Sequence, residues 1–302
     1  MTRRNGIVIG YDGSNSPLRD LEWAAEEAEL RRLPLMITHT WRWPYGEADG
    51  EARLHLSKAA EHVLLHGVKC AHAHREDIEV VTDLHEGSAA QRLVELSADA
   101  ELLVVGSHDL GVAARLMTGS VAAFVAAHAR SAVIVVRGAD RMSLLSEPGP
   151  VVVGVKDTTG DAVLDFAFRE AVLRRLPLRV VHAGHPRPLA WGIAMAPVPD
   201  LEDSARACRD RVEERLAPWR HRYAEVPVDI CSATTAPREA LLAASADAAL
   251  VVAGRGRAAS RTGHLGAITG SLVRHASCPV AVVPAQEDGS RTAPPAGEAK
   301  AP

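Results

Sequence analysis

Ala24-Ala25-Glu26-Glu27-Ala28-Glu29-Leu30-Arg31-Arg32-Leu33-Pro34-Leu35 returns in the second half of the chain as Ala167-Phe168-Arg169-Glu170-Ala171-Val172-Leu173-Arg174-Arg175-Leu176-Pro177-Leu178. A match of this length marks an internal repeat. The correspondence continues in order outside it. His39 answers to His182, Ser97-Ala98-Asp99-Ala100 to Ser245-Ala246-Asp247-Ala248, His128-Ala129 to His275-Ala276, and Val135-Val136 to Val282-Val283. Each half is therefore one complete copy of a unit, and 302 residues suit two domains of ordinary size.

Within the first copy, Ile7 to Ile9 is a short β-branched run. Leu18, Leu21, Ala25 and Ala28 then recur at helical spacing until Pro34 stops the helix. Leu35 to Thr38 predicts the next strand, Glu51 to Ala73 a long helix, Ile78 to Thr82 a strand and Ala89 to Ser97 a helix. Leu102 to Val105 predicts a buried strand, Ser120 to His128 a helix and Ala132 to Val136 a last strand. Strands alternating with helices predict an α/β domain with a parallel sheet covered on both faces. The boundaries read as domain one over 1–138, a linker over 139–149, domain two over 150–285, and a Pro- and Ala-rich tail over 286–302 whose composition predicts disorder.

Composition narrows the function. A formal charge of −4 with no long basic run offers no footprint for nucleic acid or an anionic membrane. The apolar runs are strand-sized, short of the ~20 residues a membrane helix needs. Cys70, Cys208, Cys231 and Cys278 form no C-x-x-C pair, so the expectation is a reduced, cytoplasmic protein. The P-loop and the G-x-S-x-G elbow are both absent. His62 and His66 share a helical face and could hold a metal, but a solvated histidine-rich face is the plainer expectation, and no metal site is assigned.

In an open parallel sheet, ligands bind beyond the carboxyl ends of the strands. Gly10-Tyr11-Asp12-Gly13-Ser14 follows the first strand, Gly106-Ser107-His108-Asp109-Leu110-Gly111 the fourth, and Gly119-Ser120 opens a helix. Glycines let backbone N–H groups approach phosphate, and a helix N-terminus adds donors and partial positive charge. Gly106, the nine residues from Leu110 to Thr118, and then Gly119-Ser120 resemble the G-x-x-G-x9-G-[S/T] motif of ATP-binding members of the universal stress protein family. The resemblance spans both copies, about Gly6 to Pro284.

It implies two tandem doubly wound five-stranded sheets of the adenine nucleotide alpha hydrolase-like, Rossmann-like type, in the order 3-2-1-4-5. It implies an ATP site in the first copy in which Asp12 and the backbone near Thr40 face the adenosine. Gly106, His108, Gly119, Ser120 and Val121 would hold the phosphates, with Gly10, Tyr11, Val105 and Asp109 in the same site. Asp109 stands where that motif has its second glycine, so a magnesium ion would be needed to bridge its carboxylate to phosphate.

The second copy carries Lys156, Ala253 before Gly254-Arg255-Gly256, and Gly266-Ala267 at the matching places, which leaves Lys156, Arg255 and Arg257 as contacts for an anion at most. The same resemblance puts Ala132 to Val136 and Val280 to Val283 at sheet edges. Exposed apolar edges invite pairing, so the two are expected to pair within the chain, with homodimerisation a weaker second contact. A nucleotide-free interaction module and a weak ATPase are the alternative functions.

Overall fold

Leu33-Pro34 and Leu176-Pro177 end their helices by the same device. Arg32 and Arg175 take left-handed φ values of 53° and 54°. Leu33 N–H then donates to Ala28 and Arg32 N–H to Glu29, with Leu176 to Ala171 and Arg175 to Val172 in the second copy. This is a Schellman closure, which satisfies the last carbonyls of the helix before proline redirects the chain into a strand.

The computed structural model of the chain describes residues 6–13, 18–43, 50–107, 120–136, 149–156, 158–183, 201–233, 235–256 and 263–285. The first copy runs β1 (Ile7–Gly10), α1 (Leu18–Arg31), β2 (Leu35–Trp41), α2 (Gly50–His74), β3 (Val80–Glu86), α3 (Ala89–Leu96), β4 (Leu102–Gly106), α4 (Ser120–His128) and β5 (Ala132–Val136). The second runs β6 (Val151–Gly154), α5 (Asp161–Arg174), β7 (Leu178–Ala183), α6 (Leu201–Arg222), β8 (Val228–Ala233), α7 (Pro237–Ala244), β9 (Leu250–Gly254), α8 (Ala267–His275) and β10 (Val280–Val283). Among the described residues, no helix is long and apolar enough to cross a membrane.

Each half has the parallel order 3-2-1-4-5, but the two sheets are not separate. Their outer strands pair antiparallel, Val280 opposite Val135, Ala281 opposite Ile134 and Val282 opposite Val133, to give one ten-stranded sheet in the order β3-β2-β1-β4-β5-β10-β9-β6-β7-β8. Every residue of β5 and β10 is buried. As open edges they would leave apolar side chains and unpaired backbone groups in water, and the antiparallel junction removes both costs.

Alternation along the strands divides the core into two layers. Ile7, Ile9, Leu102, Val104 and Ile134 face α1 and α2, and that layer runs on through Ala281 and Val283 to α5 and α6. Val8, Leu103, Val105, Val133 and Val135 face the other way, toward Leu93 of α3 and Val125 of α4, and continue through Val280 and Val282 to Leu241 of α7 and Leu272 of α8. Both layers cross the junction, so neither half closes its core alone.

A charged quartet sits at the same junction. Arg31 donates to Glu27 on its own helix and to Glu170 of the second copy, while Arg174 donates to Glu170 and to Glu27. Side-chain exposure is only 1% for Glu27, 0% for Glu170, 5% for Arg31 and 9% for Arg174, so water screens none of these charges appreciably.

One local expectation shifts. β3 begins two residues later than the apolar run Ile78 to Thr82 implied and extends to Glu86, because it is a half-exposed strand with polar residues at Asp83 and His85. Glu86 lies opposite Trp41, the last residue of β2.

Candidate functional site

β1 and β4 are neighbours only as far as Ile9 opposite Val104. Beyond that point β1 stays with β2, where Tyr11 N–H donates to Thr38 at 2.9 Å, and β4 stays with β5, where Ser107 N–H donates to Val136 at 2.9 Å. The two central strands therefore part at their carboxyl ends and open a crevice between Asp12 and Gly106. α1, which follows β1, lies on one face of the sheet, and α3, which precedes β4, lies on the other. The opening is thus a topological switch point.

Tyr11 belongs to the wall behind this crevice. Its side chain is 2% exposed, its phenol pairs with His66 Nδ1 of α2 at 2.7 Å, and its carbonyl accepts from His39 Nδ1 at 2.7 Å. Burial, then the neighbouring Cys70 and Asp12, pushes the phenol's pKa up. The Tyr11 side chain therefore supports the strand end, which leaves its backbone as the part nearest the crevice. The Val105 side chain is likewise buried, against α3 and α4.

Gly10 has a packing reason. A Cβ there would lie 3.1 Å from Leu93, and one at Gly154 of the second copy 2.9 Å from Leu241. Gly13 has φ of 79°, and a Cβ on it would meet Val63 of α2 at 2.8 Å, so the turn after Asp12 needs glycine twice over.

Asp12 is exposed just past the strand end. Thr40 is half-buried near the end of β2, opposite His85. Between them, Thr38 Oγ1 donates to Asp83 at 2.7 Å, and Arg92 of α3 grips both Asp83 oxygens at 3.0 and 2.7 Å. Those bonds, that from Arg92 first, hold the Asp83 carboxyl below its ordinary pKa. They tie the middle of β3 to β2 and to α3.

Gly106 is half-buried at the tip of β4, Ser120 opens α4, and Val121 is exposed in its first turn. His108, Asp109 and Gly119, and the side chain of Ser120, lie outside the described residues, as does Arg257. Asp12, Thr40 and Gly106 thus stand at the carboxyl ends of β1, β2 and β4, and α4 opens at Ser120.

The second copy keeps the backbone of the crevice and changes its lining. β6 and β9 part after Val153 and Val252, Val155 N–H donates to Val181, Arg255 N–H to Val283, and His182 Nδ1 to the Val155 carbonyl at 2.9 Å. Arg255, expected as an anion contact, instead sends Nη1 to the Ala129 carbonyl at the end of α4, at 2.8 Å. A cation there complements the helix dipole and links the copies. Thr269 Oγ1 bonds the Gly254 carbonyl at 2.8 Å, which fastens α8 to the end of β9.

Nothing in the sequence marked Arg255 or the quartet as junction residues. His66 was legible only as a histidine on a helix face, and its use by Tyr11 needed the fold. His62, its companion in the weighed metal pair, belongs to no group of three metal-ligating side chains among the described residues.

Comparison with known proteins agrees with this architecture. The model of the universal stress protein family matches twice, over residues 4–137 and 149–284. The chain is 30% identical over 297 residues to a Mycobacterium tuberculosis protein, universal stress protein Rv2005c, and the match covers 93% of this chain and 97% of that one. A crystal structure of a universal stress protein from Archaeoglobus fulgidus shares the fold at TM-score 0.68, with 17% identity and coverage of 95% and 98%. A universal stress protein solved in complex with cAMP is 26% identical and aligns with 44% of this chain and 97% of its own, at TM-score 0.38. Two matches of the family model, which together span most of the chain, and similarity to a curated member over 93% of the chain show that it belongs to the universal stress protein family.

Proposed function

We propose that the first copy binds an adenine nucleotide, ATP foremost, in the crevice between β1 and β4, and that the second copy is retained for the junction. The parting of β1 and β4 beyond Ile9 and Val104, with Asp12 following β1 and Gly106 ending β4, carries this reading. The donor set suits the ligand. Asp12 supplies an acceptor for the adenosine, and the first turn of α4 supplies backbone donors and partial positive charge for phosphate. Asp109 supplies the carboxylate that a magnesium ion would bridge to the phosphates. Lys156 in place of Asp12, and Arg255 committed to α4, argue that the second copy has a different role.

Free thiols at Cys70, Cys231 and Cys278 suit a reducing cytoplasm. A second reading, a nucleotide-free interaction module, is favoured by Val121 and Phe124, which are 38% and 41% exposed on α4 beside the crevice.

Denaturing the purified protein and resolving the supernatant by anion exchange detects a nucleotide carried through purification. Added Mg-ATP is expected to raise the melting temperature of the chain, and Gly119→Val with Ser120→Ala to abolish the shift. An equal shift in that variant removes the phosphate cradle, and no shift in either leaves the interaction module.

A further inference from the structure

The copies differ at one matched pair of positions on the face that α3 and α7 cover. In the second copy, Arg179, the second residue of β7, sets its guanidinium Nη1 between both oxygens of Asp247, at 3.1 and 3.0 Å. That bond is the largest influence on Arg179 and raises its pKa. The first copy keeps the acid, as Asp99, but Met36 is the second residue of β2.

With no arginine in this place, the first copy has a cavity of about 270 Å³. Val8, Met36, Leu96 and Ala100 wall it, and the exposed acids Glu95 and Asp99 stand at its mouth. Its one lining cation, Arg92, is engaged elsewhere. It holds Asp83 through Nε and Nη2, and Nη1 reaches Glu95 at 3.3 Å. Arg92 is thus shared by Asp83 and Glu95, and Asp99 has no cationic partner among the described residues.

We propose that this cavity binds a small molecule ending in a guanidinium group, seated on Asp99 as Arg179 is seated on Asp247. A guanidinium is more weakly hydrated than an ammonium and so gives up less water beside apolar walls, and the four apolar walls suit a methylene stem. Val8 and Met36, each second in its strand, put the site toward the amino ends of β1 and β2, away from the strand ends that carry the nucleotide reading.

The test is calorimetric titration of the full chain with 1-butylguanidine, with 1-aminobutane as the ammonium control and acetyl-Gly-Arg-Gly-amide as the protein-arginine control. Butylguanidine is expected to bind saturably in the millimolar range and more tightly than 1-aminobutane. Met36→Arg, which supplies an internal occupant, and Asp99→Asn, which changes only an exposed side chain, are each expected to weaken butylguanidine by about tenfold. Absence of saturable butylguanidine binding, or binding unchanged in Asp99→Asn, overturns the proposal. Tripeptide binding tenfold tighter than butylguanidine overturns the assignment to a free small molecule.

Discussion

Arg174 of the second copy donates to Glu27 of the first, and Arg31 of the first copy returns the contact to Glu170 of the second. The repeat matches Glu27 with Glu170 and Arg31 with Arg174, so the quartet is one Glu–Arg pair meeting its own duplicate across a pseudo-two-fold axis. The same axis relates β5 to β10. One self-complementary patch, duplicated within a single chain, thus makes the junction, as an isologous interface does between subunits.

Arg174→Met is expected to destabilise the chain by about 3–5 kcal/mol, because it leaves a buried carboxylate short of its partner. Urea unfolding measures it. Replacement of all four residues by apolar ones of similar volume is expected to restore most of the loss. A loss below about 1 kcal/mol in the single variant, the range of exposed pairs, would show that water reaches the quartet.

The junction also sets a pH dependence with a definite sign. Burial is the largest influence on Glu27 and raises its pKa, against the pull of Arg174 and Arg31. A raised carboxyl pKa means the folded state binds more protons than the unfolded one between the ordinary glutamate value and the raised one. Stability from this group therefore falls as pH rises through that window. Asp83 is the reverse: its lowered pKa adds stability that is present above the ordinary aspartate value and lost as pH falls through the folded one. In urea titrations across acidic and neutral pH, the wild type is expected to lose stability relative to Glu27→Gln as pH rises, and to gain it relative to Asp83→Asn. A difference that does not vary with pH contradicts either assignment.

Residues 1–138 expressed alone are expected to dimerise. That half keeps an all-buried β5 edge and the Glu27–Arg31 pair, which can meet a second copy of itself as it meets Glu170 and Arg174. Sedimentation of a stable, soluble monomer contradicts the view that the second copy is retained for pairing.

The repeat made the helices, their proline stops and the alternation of elements legible, because these are local and periodic. The strand order came from family resemblance, since nothing in a strand's own pattern names its neighbours. The quartet stayed hidden for a physical reason: Glu27 and Arg31, four residues apart, read as an ordinary surface pair until the fold sets a second helix against them. At the candidate site, the turn chemistry of Asp12 and Gly106 marked the strand ends. The direction of the Tyr11 side chain was not legible, because a polar residue at a strand end looks the same whether its side chain turns outward or, as here, under a helix.

Arg255→Ala is expected to cost about 1–3 kcal/mol of stability, the worth of a charged hydrogen bond at a helix end, and to leave ATP binding unchanged. Urea unfolding and an ATP titration on the same variant separate the two effects. Weakened nucleotide binding with unchanged stability would return Arg255 to an anion-binding role.

The central claim is that only the first copy carries the nucleotide site, and calorimetric stoichiometry tests it most directly. The full chain titrated with Mg-ATP is expected to bind one nucleotide, Gly119→Val to bind none, and Gly266→Val, the matching change in the second copy, to bind one as before. Two nucleotides per chain, or binding that survives Gly119→Val and disappears in Gly266→Val, would contradict it.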